Sequence, residues 1–279
     1  MKLRIQYATE YRYSEAVSFS PHIFRLLPKA DLHLKVERFD FKTNEHADVQ
    51  QRRDLFDNIV AQCFYPGTAP ALWARLEMEL QLEEKNPFHF LLAPYAAELP
   101  FTYQAREAAV LAPYLRHQSH PVELPFWKPE RGATVARLLE LNAALQEHIR
   151  YERREEGAAW TPAETLAAGY GACRDFAVLL AETLRGTGIA ARLASGYLCE
   201  TGNARKTAEG ALHAWTEAYL PGAGWVGIDP ANGIFCNHLH ITAATGLTPE
   251  DIAPISGRYF SDRQVGSSMS TSLQLEAGE

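Results

Sequence analysis

The chain has 279 residues, of which 47% are hydrophobic and 22% charged, with a formal net charge of −7. That length supports one large or two ordinary domains with ample core. The acidic balance argues against a nucleic-acid polyanion as partner, because neutralising phosphates needs a basic surface. No stretch approaches the roughly 18 consecutive apolar residues of a membrane span. The opening Met1-Lys-Leu-Arg-Ile-Gln-Tyr turns polar at once and lacks the apolar core of a signal peptide, so a cytoplasmic location is expected. The cysteines, at 63, 173, 199 and 236, are widely spaced and form no Cys-x-x-Cys pair. Neither a disulfide framework nor a structural zinc site is expected.

Residues 1–85 read as strands. Leu72 to Glu83 is the clearest run, with Leu72, Ala74, Leu76, Met78, Leu80 and Leu82 on one face and mostly polar residues on the other. Leu34 to Phe41 and Asp57 to Tyr65 read similarly, which predicts an all-β, sandwich-like N-terminal domain. Asn86-Pro87 and the prolines at 94 and 100 break all periodicity, so residues 86–104 form a linker and residues 105–279 a second domain.

The second domain begins helical. Ala133 to Tyr151 places Val135, Leu138, Leu139, Leu141, Leu145 and Ile149 at helical spacing. Thr161-Pro-Ala-Glu164 is a capping-box start with proline in the first helical position. That helix ends at Gly169, and the next opens at Cys173 and ends at Gly186, with a glycine suited to the left-handed terminal conformation. Strands follow at Ala190 to Cys199, Leu212 to Leu220, Gly224 to Asp229 and near His240 to Ala243. A last alternating run, Thr271 to Glu276, is expected to close the same sheet. Helices first and an antiparallel sheet after define an α+β core.

Cys173 follows the glycine-rich turn Gly169-Tyr-Gly-Ala172 at a helix start, where unpaired N–H groups and the helix dipole stabilise a thiolate. A lone cysteine is more often a small core residue, and what changes that reading is the hairpin downstream. Leu212 to Leu220 alternates strictly, so His213, Trp215, Glu217 and Tyr219 share a face. A three-residue turn at Pro221 to Ala223 sets residue 220 opposite 224 and 213 opposite 231. Asp229 is then the same-face diagonal neighbour of His213, roughly 7–8 Å away between backbones. A thiol on a helix start, an imidazole on a strand and a carboxylate on the next strand meet the needs of a Cys-His-Asp nucleophilic site.

These same residues carry a resemblance. Gly171-Ala-Cys-Arg-Asp-Phe-Ala177, the run from Leu212 through His213-Ala-Trp to Asp229-Pro230, and Asn232-Gly233 resemble the core of the bacterial transglutaminase-like superfamily, a group that includes candidate cysteine proteases. The N-terminal strand with Thr9, Tyr11 and Tyr13, Arg25-Leu-Leu-Pro28 and Asp54-Leu-Phe-Asp-Asn58 resembles its N-terminal domain, and His240-Ile241 with Pro254-Ile-Ser-Gly257 resembles its C-terminal segment. The resemblance implies a papain/transglutaminase-like core with Cys173 as nucleophile, His213 as base and Asp229 as orienter. It departs after His240-Ile241, where relatives carry a Gly-Arg-Asp-Tyr-like stretch and this chain has Ala243 to Asp251; that loop bears on substrate preference.

The expected reaction is acyl transfer from an amide of a peptide or protein through a thioester on Cys173. Hydrolysis is favoured because water must be excluded for another acceptor to win; the alternatives are a transglutaminase with an amine acceptor and a non-catalytic scaffold on the same fold. The Cys173 N–H is the natural oxyanion donor. Trp160 and Tyr170 are candidates for the second donor and for substrate contact, and Trp215 and Trp225 for walls of the site. Arg174 and Asp175 point away from the thiol and read as supporting residues. Cys236, His238 and His240 would share a strand face, but no fourth ligand stands at matching spacing, so neither metal nor cofactor is expected. The remaining histidines, His117 among them, show no visible partner.

Overall fold

The computed structural model describes residues 1–117, 122–154, 157–199 and 212–278. The mixed α/β architecture has a β-rich N-terminal region and a helix-and-sheet core. The long strands Lys2–Phe19, Thr68–Leu82 and Leu34–Thr43 pair antiparallel in one sheet, and Asp48–Arg53, Ile59–Phe64 and His22–Phe24 in a second. Alternation in the 72–82 run puts Leu72, Ala74, Leu76, Met78, Leu80 and Leu82 inward, each buried.

The second half carries helices α1 (Ala105–Leu115), α2 (Thr134–His148), α3 (Pro162–Ala168) and α4 (Cys173–Gly186). Its sheet is antiparallel, in the order Ile234–Phe235, Gly224–Asp229, His213–Leu220, Ala191–Leu198, His240–Gly246. Both faces of this sheet are covered. Leu193, Ala214, Ala218 and Ile228 pack on α2 and α4 through Leu141, Leu145, Phe176 and Leu180. Tyr197, Cys199, Leu239, Ile241 and Ala243 face the other way, into a core shared with Leu3, Ile5, Phe24 and Leu76 of the N-terminal sheets. Burying one sheet between two layers removes apolar area from water on both sides at about 25 cal/mol per Å².

The layers are also tied by polar groups. Asn58 mimics a strand neighbour: its Oδ1 accepts from the Thr245 N–H at 2.8 Å and its Nδ2 donates to the Thr245 carbonyl at 2.9 Å. Lys29 Nζ donates to the Phe56 carbonyl, Asn58 Oδ1 and Thr245 Oγ1, so the ammonium entering this contact is satisfied. The Asp54 to Asn58 motif thus clamps the N-terminal sheets to the far strand of the core sheet.

Several expectations are corrected. The run 271–276 does not close the core sheet; Ser267–Gly278 pairs along Lys2–Tyr13, with Leu275 opposite Ile5 and Leu273 opposite Tyr7. Its two leucines match the buried face of that first strand. Ile255–Ser256 and Tyr259–Phe260 likewise pair with His22–Phe24 and Ser18-Phe19, so the C-terminal segment returns to the N-terminal sheets. Helix α2 stops at His148 because Ile149 turns extended, freeing Arg150–Tyr151 to pair in parallel with Tyr170–Gly171. Gly186 is still helical; the left-handed glycine is Gly188, at φ +81°. Helix α1, opened by the Gln104 N–H donating to the Glu107 carboxylate at 3.0 Å and carrying Pro113 within it, is an element the periodicity did not single out.

Candidate active site

The thiol is placed by two capped turns. Thr161 opens α3, its Oγ1 accepting from the Glu164 N–H while the Glu164 carboxylate accepts from the Thr161 N–H at 2.8 Å. Gly169, at φ +69°, ends that helix. The chain then runs through Tyr170–Gly171 into α4, whose first residue is Cys173. Gly171 has to be glycine, since a Cβ there would lie 2.9 Å from the Asp175 Cβ.

Asp175, fully buried, locks this turn. Its Oδ2 accepts from the Ala172 N–H at 2.8 Å and from Arg154 Nε at 3.0 Å; its Oδ1 accepts from the Trp160 N–H and from the second Arg154 nitrogen, both at 2.8 Å. The carboxylate joins the residue before the nucleophile to Arg154, through a two-pronged guanidinium pair, and to the Trp160 backbone. Arg174 donates to the Arg154 carbonyl at 2.9 Å, on the same side. Arg174 and Asp175 thus both brace the turn that holds the thiol.

The hairpin has the register expected of its turn: Leu220 stands opposite Gly224 and Thr216 opposite Ile228. His213 Nε2 and Asp229 Oδ2 meet at 2.8 Å, and the thiol of Cys173 lies close enough to the same imidazole to raise its basicity. With Nε2 engaged by Asp229, Nδ1 is the nitrogen left for the thiol. The structure therefore brings Cys173, His213 and Asp229 together. Burial alone would depress the basicity of His213; the hydrogen bond to Asp229, the nearby Cys173 thiol and the charge of both outweigh it and lift the pKa to about 10. Asp229 is buried, which disfavours its charge, but donors on both oxygens hold its carboxyl well below the usual range.

Those donors come to five. Oδ2 accepts from His213, from Asn232 Nδ2 at 2.8 Å and from His240 Nε2 at 3.1 Å; Oδ1 accepts from the backbone N–H groups of Ala231 at 3.1 Å and Asn232 at 3.2 Å. Asn232 and His240 are site residues that periodicity did not assign. The Asn232-Gly233 turn was a visible signal, but the approach of His240 depends on the chain's path between distant strands.

The aromatic candidates separate. Trp215 is 1% exposed; its indole stacks on His213 and meets His240 edge-on, so it backs the histidines and offers a substrate almost no surface. Trp225, half-buried, packs against Tyr114, Tyr219 and the Arg192 guanidinium. Trp160 and Tyr170 are half-buried and contact edge to face at 5.4 Å, with the Arg154 guanidinium 3.9 Å from the Trp160 ring. The Trp160 backbone N–H is already given to Asp175, which leaves only its indole N–H to serve as a donor. Tyr151, half-exposed, was missed. Burial and the nearby Cys173 push its phenol up, and its ring packs against Phe176 at 6.4 Å.

Cys63 and Cys199 lie in the shared apolar core, and burial drives the Cys236 thiol well above its ordinary range. Among the described residues no group of three or more His, Cys, Asp or Glu side chains is arranged to hold a metal ion. His117 is not solitary: it pairs with the buried Glu182 at 3.0 Å. Among the described residues no helix is long and apolar enough to cross a membrane.

A half-buried thiol on the first turn of a helix, faced by a histidine–aspartate pair on an antiparallel sheet, defines a cysteine-site α/β core. Residues 128–230 match the Transglutaminase-like superfamily and residues 3–81 the Bacterial transglutaminase-like N-terminal region. The chain belongs to the bacterial transglutaminase-like superfamily, in the form that carries this N-terminal domain. An uncharacterized protein of Mycobacterium tuberculosis is 26% identical over 283 residues, spanning 94% of this chain and 89% of its own. An uncharacterized protein of Mycobacterium leprae is 40% identical over 91 residues, 32% of each chain. The fold is shared with the crystal structure of a candidate cysteine protease from Cytophaga hutchinsonii, at a TM-score of 0.68 and 17% identity, over 100% of this chain and 92% of that one.

Proposed function

We propose that the protein transfers an acyl group from a peptide or protein amide through a thioester on Cys173, with water as the ordinary acceptor. The observation that carries the reading is the single imidazole of His213, hydrogen-bonded to Asp229 and with Cys173 beside it. His213 takes the thiol proton and becomes an imidazolium held by the Asp229 carboxylate. The thiolate attacks the amide carbon, and the oxyanion forms near the Cys173 N–H, which as the first helical residue has no partner within the helix. Collapse breaks the C–N bond, the imidazolium proton leaves with the amine, and the thioester remains. Water then gives a proton to His213 as it attacks, and the acid departs as the thiolate is released.

An amine entering in place of water would make the same enzyme a transglutaminase. Incubating the protein with a peptide library, with and without a primary amine, and reading masses distinguishes the outcomes. Cleaved or deamidated peptides are expected, absent with Cys173→Ala; amine-linked products would assign the acceptor to an amine. Cleavage undiminished in Cys173→Ala, with the preparation free of contaminating peptidase, refutes the reading.

A further inference from the structure

The Asp229 carboxylate is held by groups of two origins. Ala231, Asn232 and His213 all belong to the hairpin or to the turn that leaves it, so they move with the aspartate. His240 does not. The chain leaves Phe235 at one edge of the core sheet and re-enters at His240 on the strand of the opposite edge, beside Leu198. His240 is therefore the donor that anchors the carboxylate to a separate element.

Its ring is built to donate. The side chain is 1% exposed. Nδ1 faces the Asn237 N–H at 3.4 Å, an acceptor's position, which puts the proton on Nε2, 3.1 Å from Asp229 Oδ2. The Trp215 indole meets the ring edge-on at 5.5 Å and fixes its plane. The groups around it are His213, Trp215 and Glu217 from the histidine strand, Asp229 and Asn232 from the hairpin end, and Cys236 and His238 from the crossover. A cavity of about 170 Å³ lies behind it, with Lys29, Lys85 and Arg192 also on its walls.

We propose that His240 is a positioning residue of the thiol site: its Nε2–H holds Asp229 facing His213, and through that pair it sustains the Cys173 thiolate. The inference rests on the reading of Cys173 as the nucleophile. It requires an N–H donor at the Nε2 position, not merely a side chain of that size. A hydrogen bond to a charged group, lost from a buried site, corresponds to a change of about tenfold or more.

The test needs no substrate. The full-length protein and its His240→Leu, His240→Gln and His240→Asn variants are alkylated with iodoacetamide between pH 5 and 9.5, and each cysteine is followed by mass spectrometry. In the wild type, Cys173 should label faster at pH 6 than Cys63, Cys199 and Cys236. His240→Leu should slow Cys173 about tenfold at pH 6, with the rates converging above about pH 9, where a thiol ionises without help. His240→Gln, whose amide nitrogen overlays Nε2, should stay within about threefold of wild type. Should the leucine variant fail to fold, His240→Asn decides, because its shorter amide stops short of Asp229 and must label slowly. Wild-type rates in the leucine or asparagine variant overturn the proposal, as does a deficit that persists unchanged to pH 9.5. Slow labelling of Cys173 in the wild type would instead sink the functional reading itself.

Discussion

Two fully buried aspartates flank the thiol, and they do different work. Asp175 and Asp229 each accept from backbone N–H groups and from cationic or polar side chains. Asp175 is paired with a guanidinium, which does not titrate in the working range, so it acts as a static clamp on the turn before Cys173. Asp229 faces imidazoles, whose charge changes with one proton. The same burial that makes the first a structural part makes the second a proton-linked one. Chemistry is assigned here by the partner, not by the carboxylate.

That contrast can be broken at several points. His213→Ala removes the group proposed to move protons in both half-reactions, and a turnover loss on the order of 10⁶-fold is expected, with the fold retained by circular dichroism. Asp229→Asn keeps the shape and removes the charge; about 10⁴-fold should be lost, with a measurable remnant. A double variant of Cys173 and His213 should be no worse than either single one, and a multiplicative loss would show that the base lies elsewhere. Asp175→Ala should act on folding instead. It strands a largely buried Arg154 and two backbone N–H groups, so a urea titration should show about 3 kcal/mol less stability. An unchanged urea midpoint would erase the distinction between clamp and orienter.

The proton-linked member should also have a pH signature. His213 is raised to about 10, so its contribution to stability is complete below its unfolded value of about 6.5 and is lost as pH climbs toward 10. Asp229 is lowered, so its contribution is complete above about pH 4 and is lost on acidification. The melting-temperature advantage of wild type over Asp229→Asn should therefore be widest between about pH 4 and 6.5 and shrink by pH 10. A constant offset across that range would show that the pair is not proton-linked. The smallest effect is expected at Thr161→Ala, which removes the cap of α3. About 1 kcal/mol of stability should be lost in urea, with Cys173 alkylation unchanged.

What the sequence determined by itself is local. Strict alternation from Leu212 to Leu220 and a three-residue turn are enough to set the register that makes Asp229 the diagonal neighbour of His213, because side-chain direction in a strand repeats every two residues. The glycine-rich turn likewise placed Cys173 at the first position of α4, since helix starts are governed by the few residues around them. The roles of Arg154, Asn232 and His240, and the burial of Trp215, were decided only by tertiary structure. Each depends on segments far apart in the chain meeting with their polar atoms aligned. The same holds for the last strand: its alternation was legible from 271 to 276, but two leucines on a polar ribbon fit any open edge. Only the free side of Lys2–Phe19, with Ile5 and Tyr7 waiting to be covered, selected its partner.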